Sequence, residues 1–251
     1  MKTDNKKVKA IKILAISLIT IILIFVIASY VYIKDYYHAE PQVMNMIATM
    51  ENSVDGDFMG YQKDNGTIIL EPDNIKAGII FYPGGKVEAE AYYPLLEKLA
   101  EKGYLCVLLK VKCNLAIMDV DKADGILDDY SDVKEWYVAG HSLGGSAAAM
   151  YVDKHTDLFD GLILLGSYST VNLSDTKLKV LSIYGSEDGV LNRDNYKKYL
   201  NNLPYYEEHI IDGGCHAYFG SYGEQKGDGE PTISQSQQMD ISAKEIDNFI
   251  N

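Results

Sequence analysis

Gly140-His141-Ser142-Leu143-Gly144 allows fewer backbone structures than any other stretch of this chain. The apolar run at residues 135–139 precedes it and reads as a buried strand. The small residues at 145–152 follow it and read as a tightly packed helix. A strand that turns directly into a helix has no room for side chains two positions either side of the turn residue, and the two glycines answer that demand. The serine between them is then strained and lifted above the sheet edge. The N–H of Leu143 points at the same spot, where the positive end of the following helix also suits an anionic intermediate.

Composition narrows what the rest of the chain can do. With 251 residues and 47% hydrophobic content it can form one sizeable α/β core and an appendage. The net charge of −13 is uneven: five lysines and one aspartate give residues 1–33 a charge of +4, which leaves −17 for the remainder. So acidic a body argues against nucleic acid or an anionic membrane surface as its partner. Arg193 is the only arginine, so no clamp of several guanidinium groups can be assembled. Cys106, Cys113 and Cys215 match no zinc spacing and cannot all pair within one chain. Cys106 reads as a small buried hydrophobe, and a Cys106–Cys113 disulfide has no support.

Residues 13–33 contain no charge. A helix of that length is about 30 Å long, the thickness of a bilayer's hydrocarbon core. Lys2, Lys6, Lys7, Lys9 and Lys12 precede it, which predicts a cytoplasmic N-terminus and an extracytoplasmic body. A cleaved signal peptide and secretion is the rival reading, but the apolar stretch is long and no Ala-x-Ala site or lipoprotein cysteine follows. The expected organisation is a lysine-rich tail over 1–12, a transmembrane anchor over 13–33, a helical spacer over 34–54 and a single domain over 55–251. Val43, Met44, Met46, Ile47 and Met50 form one apolar face of the spacer.

Within the domain, residues 58–62 and 67–71 flank Lys63-Asp64-Asn65-Gly66 and predict a hairpin. Further strands are expected at 77–82, 104–109, 135–139, 162–165, 178–184 and 207–211. Helices are expected at 88–102, 121–130, 145–152, 192–202 and 234–250. The 162–165 and 178–184 strands lie so close in sequence that a large lid between them is not expected. Residues 218–231 read as a solvated glycine-rich loop, and Asp228-Gly229-Glu230 within it lacks calcium-ligand spacing. Strands alternating with helices and buried on both faces give a mostly parallel central sheet.

A serine hydroxyl needs a base, ordinarily a histidine held by a carboxylate. Among five histidines, His38 adjoins the apolar segment, His141 lies inside the turn, His155 ends the helix and His209 falls within a strand. His216 remains, in the loop after the last strand. Asp188 follows the 178–184 strand at the same sheet edge and is the expected acid, with Glu187 as fallback and Asp212 too near His216 in sequence. A second oxyanion donor beside Leu143 is expected from the loop after 77–82, where Gly85 is preferred and Lys86 comes next.

Four stretches, Phe81-Tyr82-Pro83-Gly84-Gly85-Lys86-Val87-Glu88-Ala89-Glu90, Gly140-His141-Ser142-Leu143-Gly144-Gly145, Tyr184-Gly185-Ser186-Glu187-Asp188-Gly189 and His216-Ala217-Tyr218-Phe219-Gly220, stand in this order. Together they resemble the α/β-hydrolase superfamily, in particular a bacterial branch related to dienelactone hydrolases that often carries an N-terminal membrane segment. The resemblance implies an α/β-hydrolase sheet, which the short 162–165 to 178–184 connection leaves without a large lid, with Ser142, Asp188 and His216 as nucleophile, acid and base, and Gly84 and Gly85 in the oxyanion loop. Dienelactone hydrolases proper carry cysteine where Ser142 stands, so their substrate is not carried over, and Cys215 is in the wrong loop to replace it. The reading is a membrane-anchored serine hydrolase acting on a small-molecule ester, thioester or amide without metal or cofactor. An acyltransferase or peptidase on the same triad, or an inactive surface binding protein, are the alternatives.

Overall fold

Strands buried along their whole length need cover on both faces, and the structure supplies it. The computed structural model describes residues 2–50 and 58–251, and the side chains of all of these except 2–8 and 10. The chain divides into two units, Met1–Tyr36 and Tyr37–Asn251. The first is one helix, α1 (Lys2–Lys34). Its stretch Ile11–Lys34, 24 residues, is long and apolar enough to cross a membrane, a description that a signal sequence also meets.

The second unit is built on an eight-stranded sheet in the order β1-β2-β4-β3-β5-β6-β7-β8. Its strands are β1 (Phe58–Gln62), β2 (Ile68–Pro72), β3 (Ala77–Tyr82), β4 (Tyr104–Leu108), β5 (Trp136–His141), β6 (Gly161–Leu165), β7 (Lys179–Gly185) and β8 (Tyr206–Ile211). β2 runs antiparallel to both its neighbours, and β4, β3, β5, β6, β7 and β8 are parallel. The β1–β2 hairpin forms where Asn-Gly predicted it, with Gly66 at φ 83° and the Asn65 side chain accepting the Thr67 N–H at 3.0 Å.

Period-two alternation divides the core between the sheet faces. Ile79, Phe81, Tyr137, Ala139, Ile163 and Leu165 join one apolar cluster. Their neighbours Ile80, Tyr82, Val138, Leu162 and Leu164 join the other. The first face is covered by α2 (Pro41–Met50), α3 (Tyr93–Ala100) and α7 (Gln235–Ile250), the second by α5 (Leu143–Lys154). Val43 and Met50 of α2 are buried, while Met44 is exposed. The expected helical spacer over 34–54 is interrupted, since residues 35–40 are not helical and α2 begins only at Pro41; its expected end and the expected boundary at 54/55 lie outside the described residues.

Several elements are shorter than their apolar patterns predict. The 88–102 helix is a 3-10 turn, Ala89–Tyr92, followed by α3, with Pro94 in the first turn of α3. The 121–130 helix is a 3-10 turn and the single turn α4 (Ile126–Asp129), separated by Gly125 in the left-handed conformation at φ 80°. α6 (Arg193–Tyr199) gives way to a 3-10 turn before residue 202. The β6–β7 connection has no helix. Leu173 fills its place in the core, and the Leu173 N–H donates to the Asn202 carbonyl at 2.7 Å. All three cysteines are free, Cys106 and Cys215 buried and Cys113 exposed.

α7 opens with a capping box formed by Ser234 and Gln237. One turn on, the fully buried Gln238 side chain accepts the Cys215 N–H at 2.9 Å and donates to its carbonyl at 2.7 Å. Gln238→Ala leaves both backbone groups buried without partners, and urea unfolding should show a loss of about 2–5 kcal/mol. A loss below about 0.5 kcal/mol would mean that water replaces both bonds.

Candidate active site

The parallel strands bring their C-terminal ends to one edge, and every expected site residue follows such an end. Ser142 stands between β5 and α5 at φ 53°, ψ −123°, a conformation that a residue with a Cβ rarely holds. Close backbone packing holds it there. A Cβ on Gly140 would lie 2.5 Å from the Gly144 carbonyl oxygen, and one on Gly144 would collide with the carbonyl oxygens of Tyr82 and Pro83. The Ser142 N–H donates to the Leu165 carbonyl at 2.9 Å, and its own carbonyl accepts the Ser167 hydroxyl at 2.6 Å.

His216 and Asp188 are brought together. Nδ1 of His216 lies 2.8 Å from Oδ2 of Asp188, and their side chains are 1% and 0% exposed. Oδ1 of Asp188 accepts the N–H groups of Val190 at 3.0 Å and Leu191 at 2.8 Å, which fixes the carboxylate plane. Among the described residues, Nε2 of His216 meets no hydrogen-bond partner. Ser142 and His216 line the same cavity of about 200 Å³, with Leu143, Ser146, Gly166 and Tyr168. Glu187 is exposed and accepts the Ser186 hydroxyl at 2.9 Å, so of the two neighbouring carboxylates Asp188 is the one at His216.

The loop after β3 is nearly closed by its own hydrogen bonds. The Gly84 N–H donates to the Tyr92 hydroxyl at 3.0 Å and the Lys86 N–H to the Asn114 carbonyl at 2.7 Å. The Val87 N–H donates to the Gly84 carbonyl at 3.3 Å and the Glu88 N–H to the Tyr37 carbonyl at 2.9 Å. Among the described residues the Gly85 N–H meets no acceptor, and a Cβ on Gly85 would lie 2.8 Å from Cδ2 of Leu143. Lys86, the other residue considered for this place, has its N–H occupied.

Three contributors had no sequence signal. Asp228, in the loop read as merely solvated, accepts the N–H groups of Gly189 at 3.1 Å and His216 at 3.0 Å on Oδ1, and that of Ala217 at 2.8 Å on Oδ2. One carboxylate thus ties the Asp188 loop to the His216 loop. Tyr92 and His141 form the second link. The Tyr92 hydroxyl accepts the Gly84 N–H and is hydrogen-bonded to His141 Nδ1 at 2.7 Å. The His141 ring packs against that of His216 with centroids 4.5 Å apart. Burial, and secondarily Asp228, push the pKa of the Cys215 thiol up to about 12, which keeps it protonated.

The profile of the alpha/beta hydrolase family matches residues 78–240. No curated protein matches the chain significantly. Among solved structures, dienelactone hydrolase from Anabaena variabilis is similar over 75% of this chain and 96% of its own, at 16% identity and TM-score 0.55. Est1E from Butyrivibrio proteoclasticus shares 14% identity over 78% of this chain and 98% of its own, with TM-score 0.55. A predicted CIB-like hydrolase from Thermoplasma acidophilum shares 17% identity over 76% and 98%, with TM-score 0.52.

Burial, and then the neighbouring His216, hold the His141 pKa well below its ordinary value. The folded protein keeps this ring neutral, while the unfolded chain takes up a proton below about pH 6.5. The stability tied to the neutral ring is complete above that pH and is lost below it, at up to about 1.4 kcal/mol per pH unit. His141→Asn should therefore flatten the dependence of unfolding free energy on pH between about 5 and 6.5, read from urea melts. Equal slopes in variant and wild type would show that His141 is not held neutral.

Proposed function

The chain is an enzyme of the alpha/beta hydrolase family, and from that premise we propose that it cleaves a carboxylic ester through an acyl-enzyme on Ser142. The observation that carries this reading is the buried Asp188–His216 pair, which opens onto the cavity that also holds the strained Ser142. His216 Nε2 takes the Ser142 proton as Oγ attacks the carbonyl carbon, and returns it to the leaving alcohol. Asp188, bonded to Nδ1, fixes the tautomer that leaves Nε2 free to accept and stabilises the imidazolium that forms. The N–H groups of Gly85 and Leu143 receive the oxyanion, Leu143 at the first position of α5, where no acceptor precedes it within the helix. A water activated by His216 then releases the acid. Thioesters and amides present the same carbonyl to the same groups.

We also infer that α1 anchors the protein with its N-terminus in the cytoplasm, since five lysines precede residues 13–33. Mass spectrometry of membrane-extracted protein should then recover peptides from residues 1–12. A mature N-terminus near Tyr30 in the medium would establish a cleaved signal instead.

Ser142→Ala should lower turnover of simple acyl esters by roughly a millionfold and abolish labelling by a fluorophosphonate. Asp188→Asn should lower it by about four orders of magnitude through loss of the working tautomer, while Glu187→Gln stays near wild type. Full activity in purified Ser142→Ala would remove the hypothesis. A crippled Glu187→Gln beside a mild Asp188→Asn would instead move the acid by one residue.

A further inference from the structure

The loop that presents Gly85 is supported from outside by the first residues of the second unit. The Tyr37 main chain pairs with Val87 as an isolated parallel bridge. The Tyr37 N–H donates to the Lys86 carbonyl at 2.7 Å, and the Tyr37 carbonyl accepts the Glu88 N–H at 2.9 Å. The Glu88 carboxylate accepts the Ala39 N–H at 2.9 Å and lies 3.4 Å from His38 Nδ1. These residues also hold the chain that runs on from His216. The Tyr37 hydroxyl accepts the Lys226 N–H at 3.1 Å, and its ring lies 5.6 Å from that of Tyr222. The Glu40 N–H donates to the Ser221 carbonyl at 2.9 Å, and its carboxylate accepts the Ser221 hydroxyl at 2.6 Å.

We propose that residues 37–40 are a strap that positions the oxyanion loop, with Tyr37 and Glu88 as its positioning residues. The proposal rests on the reading of the Gly85 N–H as an oxyanion donor. The Tyr92 hydroxyl holds this loop before Gly85 and the Asn114 carbonyl holds it just after. The strap occupies the next groups along, the Lys86 carbonyl and the Glu88 N–H. Without it those two groups lose their partners, and Gly85 can pivot about the Tyr92 and Asn114 contacts and the loop's own Val87–Gly84 bond. A donor works on a developing oxyanion only when it is already in place, and a displacement of about 1 Å is enough for a loss near a hundredfold. The strap touches no substrate, so its effect falls on the transition state and leaves ground-state binding alone.

The test uses the full-length protein in detergent and reads kcat, KM and the inhibition constant of a trifluoromethyl ketone, which forms a tetrahedral oxyanion on the serine. Tyr37→Pro removes the N–H given to Lys86, and Glu88→Ala removes the acceptor for Ala39. Both should lower kcat by about 10- to 100-fold and weaken the ketone by a similar factor, with KM within about twofold of wild type. Tyr37→Phe keeps the main-chain bonds and Glu88→Gln keeps an acceptor oxygen, so both should stay near wild type. Unchanged kcat and ketone affinity in Glu88→Ala would overturn the strap, including where Tyr37→Pro does not fold. A loss of activity explained wholly by a smaller folded fraction would overturn it too. Wild-type protein that no fluorophosphonate labels would instead remove the serine-hydrolase reading, and the strap's role would go with it.

Discussion

The carbonyl oxygens of Tyr82 and Pro83 lie against Gly144 so closely that no Cβ fits between them, and Gly140 packs against the Gly144 backbone in the same way. This contact joins the end of β3 to the first turn of α5. It holds Ser142 in its strained conformation, because relaxing the serine would push α5 into the β3 loop. It also brings Gly85 beside Leu143. A packing constraint between backbones therefore places the serine and the two N–H groups of the proposed oxyanion site next to one another, and the Tyr92 and Ser167 hydroxyls add hydrogen bonds on either side.

The opposite wall is held by charge. Asp188 spends one oxygen on two backbone N–H groups and the other on His216. Asp228 takes N–H groups from both the Gly189 and the His216 loops. Each carboxylate is neutralised by dipoles and by hydrogen bonds, as partly and fully buried anions need to be. Arg193, the one guanidinium available, is elsewhere, donating to the Gly185 carbonyl at 2.9 Å above the Tyr184 ring. An acidic chain with almost no arginine has thus built its site from backbone donors.

Local chemistry made the strands, the hairpin and the turn at Ser142 legible in the sequence, because two-residue alternation, Asn-Gly and paired glycines act over a few residues. The same holds for Ser142, Asp188 and His216, each just past a recognisable strand. Helix lengths were less legible: Gly125 and Pro94 broke patterns that hydrophobic spacing alone would continue. Asp228, Tyr92 and Gln238 were not legible at all. Their partners lie 8 to 49 residues away in sequence, and nothing about an aspartate in a glycine-rich loop foretells which N–H groups will face it. The support given by residues 37–40 to the β3 loop has the same character, since a bridge between main chains leaves no mark on side-chain identity.

The helix-free passage from β6 to β7 bears on the fate of an acyl group. Its main chain is bonded to its surroundings at Tyr168, through the Ser146 hydroxyl, and at Ser169 and Leu173, through Asn202. The Tyr168 ring stacks on Tyr199 at 5.3 Å. These bonds and the ring stack hold the wall in place beside the cavity. Transfer of an acyl group to an acceptor other than water depends on shutting solvent out while the intermediate waits. Here Ser142 is only half-buried, and in the proposed acyl-enzyme the acceptor that the acyl group meets first is the solvent itself.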